Sequence, residues 1–201
     1  MKLNLKILLL FLFLLSNNAI ASEVNNWLKV EIDKILNAYN NTATSSSSKF
    51  NLIEKTINKN FAGSGIAKFV AGKSWDSASK EVKKEYISLF KKHLALNIAS
   101  LMKGYSKQEY KLLNSKYDNK NKINMIDMKI INESGNIVIT WRVKKSKEKF
   151  YIIDLLVADI SLIVTKRSEF NSMLKKSNNS LKALNKILKQ QNQISYKKLT
   201  E

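Results

Sequence analysis

The chain has 201 residues, no cysteine, a single histidine and a formal net charge of +19 at pH 7. The lack of cysteine excludes disulfides, thiol catalysis and thiolate metal sites, so the fold must be held together by packing. Because His93 is the only histidine, histidine-based general acid–base catalysis is limited to one position, and an enzyme is not expected.

The first 21 residues have the pattern of a secretory signal peptide. Lys2 and Lys6 make the start basic, residues 7–15 form an apolar run, and Ala19-Ile20-Ala21 is a small-x-small cleavage signal. The apolar run is shorter than the roughly 20 residues that a membrane-spanning helix needs. We therefore expect a cleaved signal peptide over residues 1–21 and export to the periplasm, with an uncleaved signal anchor as the alternative.

Removal of 21 of the 201 residues leaves 180, at 22–201, a length that suits a single domain. The loss of Lys2 and Lys6 lowers the formal charge from +19 to +17. The lysines are scattered, and neither a Gly-rich loop nor zinc-finger spacing accompanies them, so no nucleic acid is expected as a partner. The charge suits anionic membrane surfaces or acidic protein partners, unless it reflects a general bias of the composition towards lysine and asparagine.

The first half of the mature chain is predicted to be helical because apolar residues recur every three to four positions. Amphipathic helices are expected over residues 24–39, 50–61 and 66–70. A longer helix follows over residues 79–102, opened by a serine that is typical of an N-cap. His93 shares an apolar stripe of this helix, so we expect it at the edge of the core rather than in a catalytic site.

The second half changes to stretches rich in β-branched and aromatic residues, separated by polar turns. Four strands are expected, at Tyr110 to Tyr117, Ile123 to Ile131, Ile137 to Val143 and Phe150 to Val164. Short connections favour an antiparallel sheet, and helical spacing returns at 167–175 and 180–190. The sequence therefore predicts an α+β fold of N-terminal helices, a four-stranded antiparallel sheet and C-terminal helices.

The predicted strand from Phe150 to Val164 is apolar on both faces, whereas a strand with one solvated face alternates. Helices can cover one face, and the second face needs either further helices or an apolar ligand. The pattern thus allows a cavity for an apolar ligand or a sheet packed between the terminal helices without a cavity. The assignment of residues to faces reverses if a β-bulge interrupts the strand.

A first motif runs from Ile66 to Trp75 and continues through Ala78-Ser79 to Tyr86, Leu89 and Phe90. It resembles the MlaC family, also known as the toluene-tolerance auxiliary proteins. The family shows an apolar helix, a Gly, a Trp, and then a Thr or Ser that opens a helix rich in Phe. Ala71 departs from this pattern, since the family usually has Leu at that position.

A second motif is also similar to the family, in its strand-to-helix signature of Asp, Gly-Val-Ser and Arg-x-x-Phe. It comprises Tyr151-Ile152-Ile153-Asp154, then Ile160-Ser161-Leu162, then Arg167-Ser168-Glu169-Phe170. Asp159 departs from it, because the family usually has Gly there. The resemblance covers roughly residues 50–188, most of the mature chain.

The resemblance implies a periplasmic phospholipid carrier, NTF2-like in outline, whose helices and sheet enclose an apolar cavity for acyl chains. Such a carrier shuttles lipid between an outer-membrane lipoprotein complex and an inner-membrane ABC transporter with an MCE-type protein. It thereby helps to maintain outer-membrane lipid asymmetry. The resemblance implies phospholipid as the bound ligand, with no cofactor, no metal and no catalytic residue, and a monomer suits a shuttle.

For the lipid-binding cavity we expect apolar residues from the long helix, the sheet and the following helix: Phe90, Leu94, Ile98, Leu101, Trp141, Tyr151, Ile153, Leu155, Ile163, Phe170 and Leu174. The alternative for each is ordinary core packing. Asp154 is expected to be structural rather than catalytic, paired with Arg142 or Arg167. Arg167 is expected to fix the last strand to the following helix rather than to touch a lipid headgroup.

Two other classes of function stay open. A basic periplasmic chaperone, or a protein-binding module without a lipid, would share the charge and the export signal. A chaperone of this kind predicts long coiled-coil heptads, which the sequence does not sustain. An NTF2-like envelope hydrolase would require His93 for its activity.

Overall fold

The computed structural model describes residues 4–105, 107–131 and 135–201, without the side chains of residues 4–21 and Asn114. The predicted signal peptide falls largely outside this description: residues 1–3 lie beyond it, and only the helical backbone of residues 4–21 is described. Within the described ranges, no helix is both long enough and apolar enough to cross a membrane.

Six α-helices surround one sheet in the described part of the chain. The helices are α1 (Asn4–Asn40), α2 (Ser46–Asn60), α3 (Gly63–Ala71), α4 (Lys80–Leu101), α5 (Leu162–Lys176) and α6 (Leu181–Thr200). The strands are β1 (Tyr110–Asp118), β2 (Ile123–Ile130), β3 (Ile137–Ser146), β4 (Lys149–Val157) and β5 (Ile160–Ser161). Short 3₁₀ turns follow α3 at Gly72–Trp75 and α4 at Met102–Gly104. This is the predicted α+β order of helices, sheet and helices.

Serine N-caps set where four of these helices begin. The hydroxyl oxygens of Ser45, Ser79, Ser161 and Ser180 each accept a hydrogen bond from the backbone N–H three residues further on. Each such bond satisfies one of the N–H groups that a helix leaves unpaired at its start. The predicted start of the long helix at Ser79 is confirmed.

The sheet is antiparallel with strand order β1-β2-β3-β4-β5. Phe61 adds a sixth segment through an isolated parallel bridge to Ile152, where the N–H of Ala62 donates to the Ile152 carbonyl at 2.9 Å. The prediction of four strands was therefore wrong. Phe61 was assigned to a helix because it continues the apolar spacing of α2, and the spacing does not show where that helix ends.

The stretch from Phe150 to Val164, expected as one strand, contains three elements. Strand β4 ends at Val157, Ala158 and Asp159 form a turn with φ of 47° and 64°, and α5 already begins at Leu162. Positive φ at both turn residues is the geometry of a two-residue hairpin, which folds β5 back onto β4. A continuous apolar run does not show where a strand ends or where a helix begins. In addition, neither turn residue is the glycine that usually indicates such a turn.

A β-bulge at Ile153 sets the two faces of β4. Asp154 pairs with Arg142 and Ile152 pairs with Val143, so Ile153 is an extra residue with no partner in β3. The extra residue reverses the alternation of side chains, because the side-chain period of a strand is two.

An aromatic cluster in the core joins α4 to α5. The rings of Tyr86, Phe90 and Phe170 are almost completely buried, with centroids 5.7–6.4 Å apart. His93 lies at the edge of this cluster, 5.6 Å from the Phe170 ring, and its Nδ1 is 3.1 Å from Oδ1 of Asn192. The expected placement of His93 at the core edge is confirmed.

Replacing Ala158 by Gly is expected to raise the free energy of unfolding by about 1 kcal/mol, because Gly adopts positive φ without the steric cost that a Cβ brings. Asp159→Gly acts in the same direction at φ of 64°. Chemical denaturation measures both changes. Ala43→Gly, in an exposed turn without positive φ, is the control and should be slightly destabilising; equal behaviour of all three variants would contradict the turn geometry.

The pH dependence of stability tests the environment of His93. Burial holds the pKa of His93 below its ordinary 6.5, nearby Lys166 lowers this pKa further, and Asn192 and Glu169 oppose these effects. Below pH 6.5 the unfolded chain therefore binds more protons than the folded chain, so stability falls as the pH falls. Urea titrations at pH 7.5 and pH 5.5 should show a smaller loss in His93→Gln than in the wild type, and an equal loss would refute the assignment.

Candidate functional site

An apolar cavity lies between α1, the C-terminal end of α4 and the inner face of the sheet. Its volume is about 190 Å³, and its exposed wall is almost entirely carbon. The lining residues are Ile32, Ile35, Leu36, Ile98, Leu101, Met102, Tyr105, Gln108, Tyr110, Met128, Ile130, Ile139, Trp141, Leu155, Val157 and Leu162. Walls of this kind offer dispersion contacts and exclusion of water, and few polar groups that would fix a ligand's orientation.

A smaller chamber of about 60 Å³ adjoins this cavity on its inner side. The two share the wall residues Ile32, Ile35, Ile98, Trp141 and Leu155, so they are neighbouring apolar spaces. Together they remain below the roughly 300 Å³ at which sites for drug-sized ligands begin. A ligand with long acyl chains therefore requires these walls to separate.

The outer end of the cavity is rimmed by exposed apolar side chains. Leu101 is 69% exposed and Val157 is 41% exposed, and both line the opening. Ile160 pairs with Val157 across the β4–β5 hairpin and is 67% exposed. Large apolar residues gathered at an opening mark a place where an apolar ligand or partner passes.

Polar contacts attach the wall formed by α1 to the sheet. The Tyr110 hydroxyl, which lines the cavity from β1, donates to a carboxylate oxygen of Asp33 on α1. Lys29 donates to the other oxygen of Asp33 at 2.5 Å. Both bonds lower the pKa of Asp33, and the bond from Lys29 has the larger effect. Burial and the bond to Asp33 raise the pKa of Tyr110, so Tyr110 stays a neutral donor at neutral pH. At the other end of the wall, Lys145 of β3 pairs with Glu23 at 3.1 Å.

The sequence-predicted residues separate into three groups. Ile98, Leu101, Trp141 and Leu155 line the cavity. Phe90, Leu94, Phe170 and Leu174 are at most 1% exposed within the packed core and line none of the described cavities. Tyr151, Ile153 and Ile163 lie at grooves on the opposite side of the sheet. The bulge at Ile153 explains the division within β4, because it places Leu155 on the inner face and Ile153 on the outer one.

Sequence reasoning missed the walls from α1 and from the middle strands. Ile32, Ile35 and Leu36 of α1 belong to the predicted apolar helical face but are not among the residues expected in the cavity. Met128 and Ile139 lie in strands whose inner face could not be told from the outer one. The spacing of α1 was the available signal, and it does not show whether the helix faces side chains or a cavity.

Asp154 and Arg167 make contacts that hold elements together. Asp154 is 4% exposed and accepts hydrogen bonds from the Ser161 hydroxyl at 2.6 Å and from the backbone N–H of Leu155 and Ile163 at 2.8 and 3.2 Å. Arg142 lies 3.4 Å from the same carboxylate. These bonds join β4, β5 and the first turn of α5.

Arg167 joins a different pair of elements from the one expected. Its Nη1 donates to the Phe69 carbonyl at 2.9 Å, and its guanidinium lies 4.3 Å from the centroid of the Phe69 ring. It therefore attaches α5 to α3, whereas the sequence suggested the last strand and its helix. Arg142 is the arginine that pairs with Asp154.

The outer side of the sheet carries two open grooves, of about 390 and 280 Å³. Lys91, Lys144 and the N-terminal turn of α3 line the larger one, together with Tyr151 and Ile153. This side is more polar than the inner cavity and offers less enclosure to an acyl chain. It is the natural alternative location for a bound molecule.

Comparisons with known proteins agree with this architecture. The chain is similar to a phospholipid-binding protein from Ralstonia solanacearum, solved in complex with a phospholipid, with a TM-score of 0.73 and 16% sequence identity. The similarity covers 84% of this chain and 96% of that chain. No curated protein matches the sequence.

A family model described as MlaC protein matches residues 29–190. This range includes α2 to α5 entirely, every strand, and most of α1 after the predicted signal peptide. The two motifs that suggested the family lie within it. Because the match extends over well more than half of the chain, the protein belongs to the MlaC family.

Proposed function

We propose that the protein is a periplasmic phospholipid carrier that holds acyl chains in the apolar cavity between α1, α4 and the sheet. The observation that carries the proposal is the carbon-lined space with an apolar rim. Membership of the MlaC family supports it, as does the fold shared with a phospholipid-binding protein.

Binding in such a site derives from removing acyl chains from water. Each buried methylene contributes about 0.8 kcal/mol, so enclosing even part of one chain gives firm retention. No bond is made or broken, and the proposal needs no cofactor and no catalytic residue. An envelope hydrolase would require His93 for its activity. The imidazole of His93 instead packs against the Phe170 ring and lies within hydrogen-bond distance of Asn192.

The small volume of the cavity means that loading must widen it. The wall formed by α1 is the candidate to move, since its polar attachments to the sheet are a tyrosine–aspartate bond and a partly exposed ion pair between Glu23 and Lys145. Exposed ion pairs contribute little to stability. On the other side, α4 and α5 are joined by the buried aromatic cluster.

Firm retention makes release the difficult step of transport. A partner must open the cavity or offer the acyl chains comparable burial. We infer that these partners are an outer-membrane lipoprotein complex and an inner-membrane ABC transporter with an MCE-type protein, between which a monomeric carrier shuttles. This traffic would help to maintain outer-membrane lipid asymmetry, and the charge of +17 on the mature chain favours acidic docking surfaces.

Purification from the periplasm without detergent, followed by native mass spectrometry, tests the proposal. We expect an added mass of one phospholipid at near one-to-one stoichiometry, because acyl chains bound in an enclosed site leave slowly. Organic extraction then identifies the lipid. The control is protein stripped of lipid in denaturant, refolded, and incubated with phospholipid vesicles. Folded protein that is empty both before and after incubation would overturn the carrier in favour of a chaperone or a protein-binding module without a lipid.

Two substitutions in β4, at positions 153 and 155, distinguish the inner cavity from the outer grooves. Leu155→Gln places an amide in the apolar wall and should lower lipid occupancy at least about fivefold, because the amide loses water without gaining a partner. Ile153→Gln makes the same kind of change on the outer side of β4 and should leave occupancy unchanged. Quantitative lipid extraction measures both. Loss of lipid in Ile153→Gln alone would place the ligand in the outer grooves.

A further inference from the structure

One polar atom in the cavity wall is a hydrogen-bond donor without an acceptor. The indole Nε1 of Trp141 is buried and has no hydrogen-bond partner among the described residues. Trp141 lines both the main cavity and the inner chamber. A buried N–H without an acceptor is destabilising and is uncommon in native proteins, so its presence in a binding wall points to a ligand that supplies the acceptor.

The depth of Trp141 limits which part of a lipid can reach it. In β3, Trp141 lies two residues from Ile139, and Ile139 pairs with Val157 at the rim of the cavity. Two residues of strand correspond to about 7 Å, so the indole lies a short distance inside the opening. A phospholipid whose phosphate remains at the rim has its glycerol and ester groups at this level and its acyl chains beyond.

The ester carbonyls are the strong acceptors in this part of a diacyl phospholipid. Their oxygen accepts hydrogen bonds as a backbone carbonyl does, whereas an ether oxygen at the same position has no carbonyl to offer. The other unpartnered atom near Trp141 is Oε2 of Glu31, which lines only the inner chamber and whose second oxygen lies 3.4 Å from Nζ of Lys59. A carboxylate accepts and does not donate, so it cannot hold the carbonyl, whereas the indole N–H can. The hydroxyls of Tyr105 and Tyr110, which also line the cavity, already donate to the Gln108 carbonyl and to Asp33.

We propose that the indole N–H of Trp141 donates a hydrogen bond to an ester carbonyl of the bound lipid and so makes the site selective for ester-linked over ether-linked phospholipids. This inference rests on the proposed lipid-binding function. It assigns to Trp141 the role of recognising the linkage between headgroup and tails, a feature that apolar walls alone cannot distinguish.

The test compares two phospholipids with the same headgroup and chain length, one with ester and one with ether linkages. The wild type should bind the diester about threefold to tenfold more tightly than the diether, the range expected for one net hydrogen bond. Trp141→Phe should remove this preference, chiefly by weakening diester binding. Trp27→Phe is the matched control, since Trp27 packs on Phe150 at 5.5 Å and lines none of the described cavities, and it should keep the preference.

A spectroscopic readout separates hydrogen bonding from a general effect on packing. The indole N–H resonance that disappears in Trp141→Phe should shift downfield when the diester binds to the wild type, and should stay in place with the diether. If neither lipid binds the wild type, the proposed function fails. If both bind and Trp141→Phe weakens them equally, or not at all, the function stands and the role of Trp141 is refuted.

Discussion

The carboxylate of Asp154 is the contact on which the arrangement of the sheet and its following helix depends. It receives hydrogen bonds from Ser161 and from the N–H of Ile163, so it joins β4 to β5 and to the first turn of α5. A carboxylate can be buried here because donors surround it, and Arg142 balances its charge. The bulge at Ile153 brings Asp154 to the outer side, and the same bulge places Leu155 on the inner side. The bulge in β4 therefore has two effects. It places Asp154 where it can bind β5 and α5 on the outer side, and it places Leu155 in the cavity wall on the inner side.

The elements that enclose the cavity are held by different kinds of contact. Three almost fully buried aromatic rings join α4 to α5. Helix α1 buries Val24, Leu28 and Ile32, packs Trp27 on Phe150, and makes polar contacts with the sheet near the surface. Exposed ion pairs contribute little to stability, so this part of the α1 attachment is the least costly to break when acyl chains enter.

The sequence predicted most of the fold because helical spacing and serine caps are local signals. It placed α2, α3 and α4 close to their observed positions, it found the start of α6 although not its end at Thr200, and it placed His93 at the core edge. It failed where the deciding interaction is between distant residues or lacks its usual residue type. The extra residue at Ile153 is defined by its register against β3, and the hairpin at Ala158 contains no glycine. The site prediction divided for the same reason, since apolar residues in a core and in a cavity wall share one pattern.

Selectivity in a site of this kind must come from its few polar atoms. An apolar wall binds any chain of suitable length, because the hydrophobic effect is proportional to area and has no direction. A headgroup that stays at the rim interacts with the charged side chains around the opening. Between these two levels lies the linkage of the lipid, and the indole of Trp141 is at the corresponding depth. The indole N–H of Trp141 is a directed donor in a largely carbon-lined space, so it selects the linkage of the lipid, while the area of the walls determines how firmly the lipid is held.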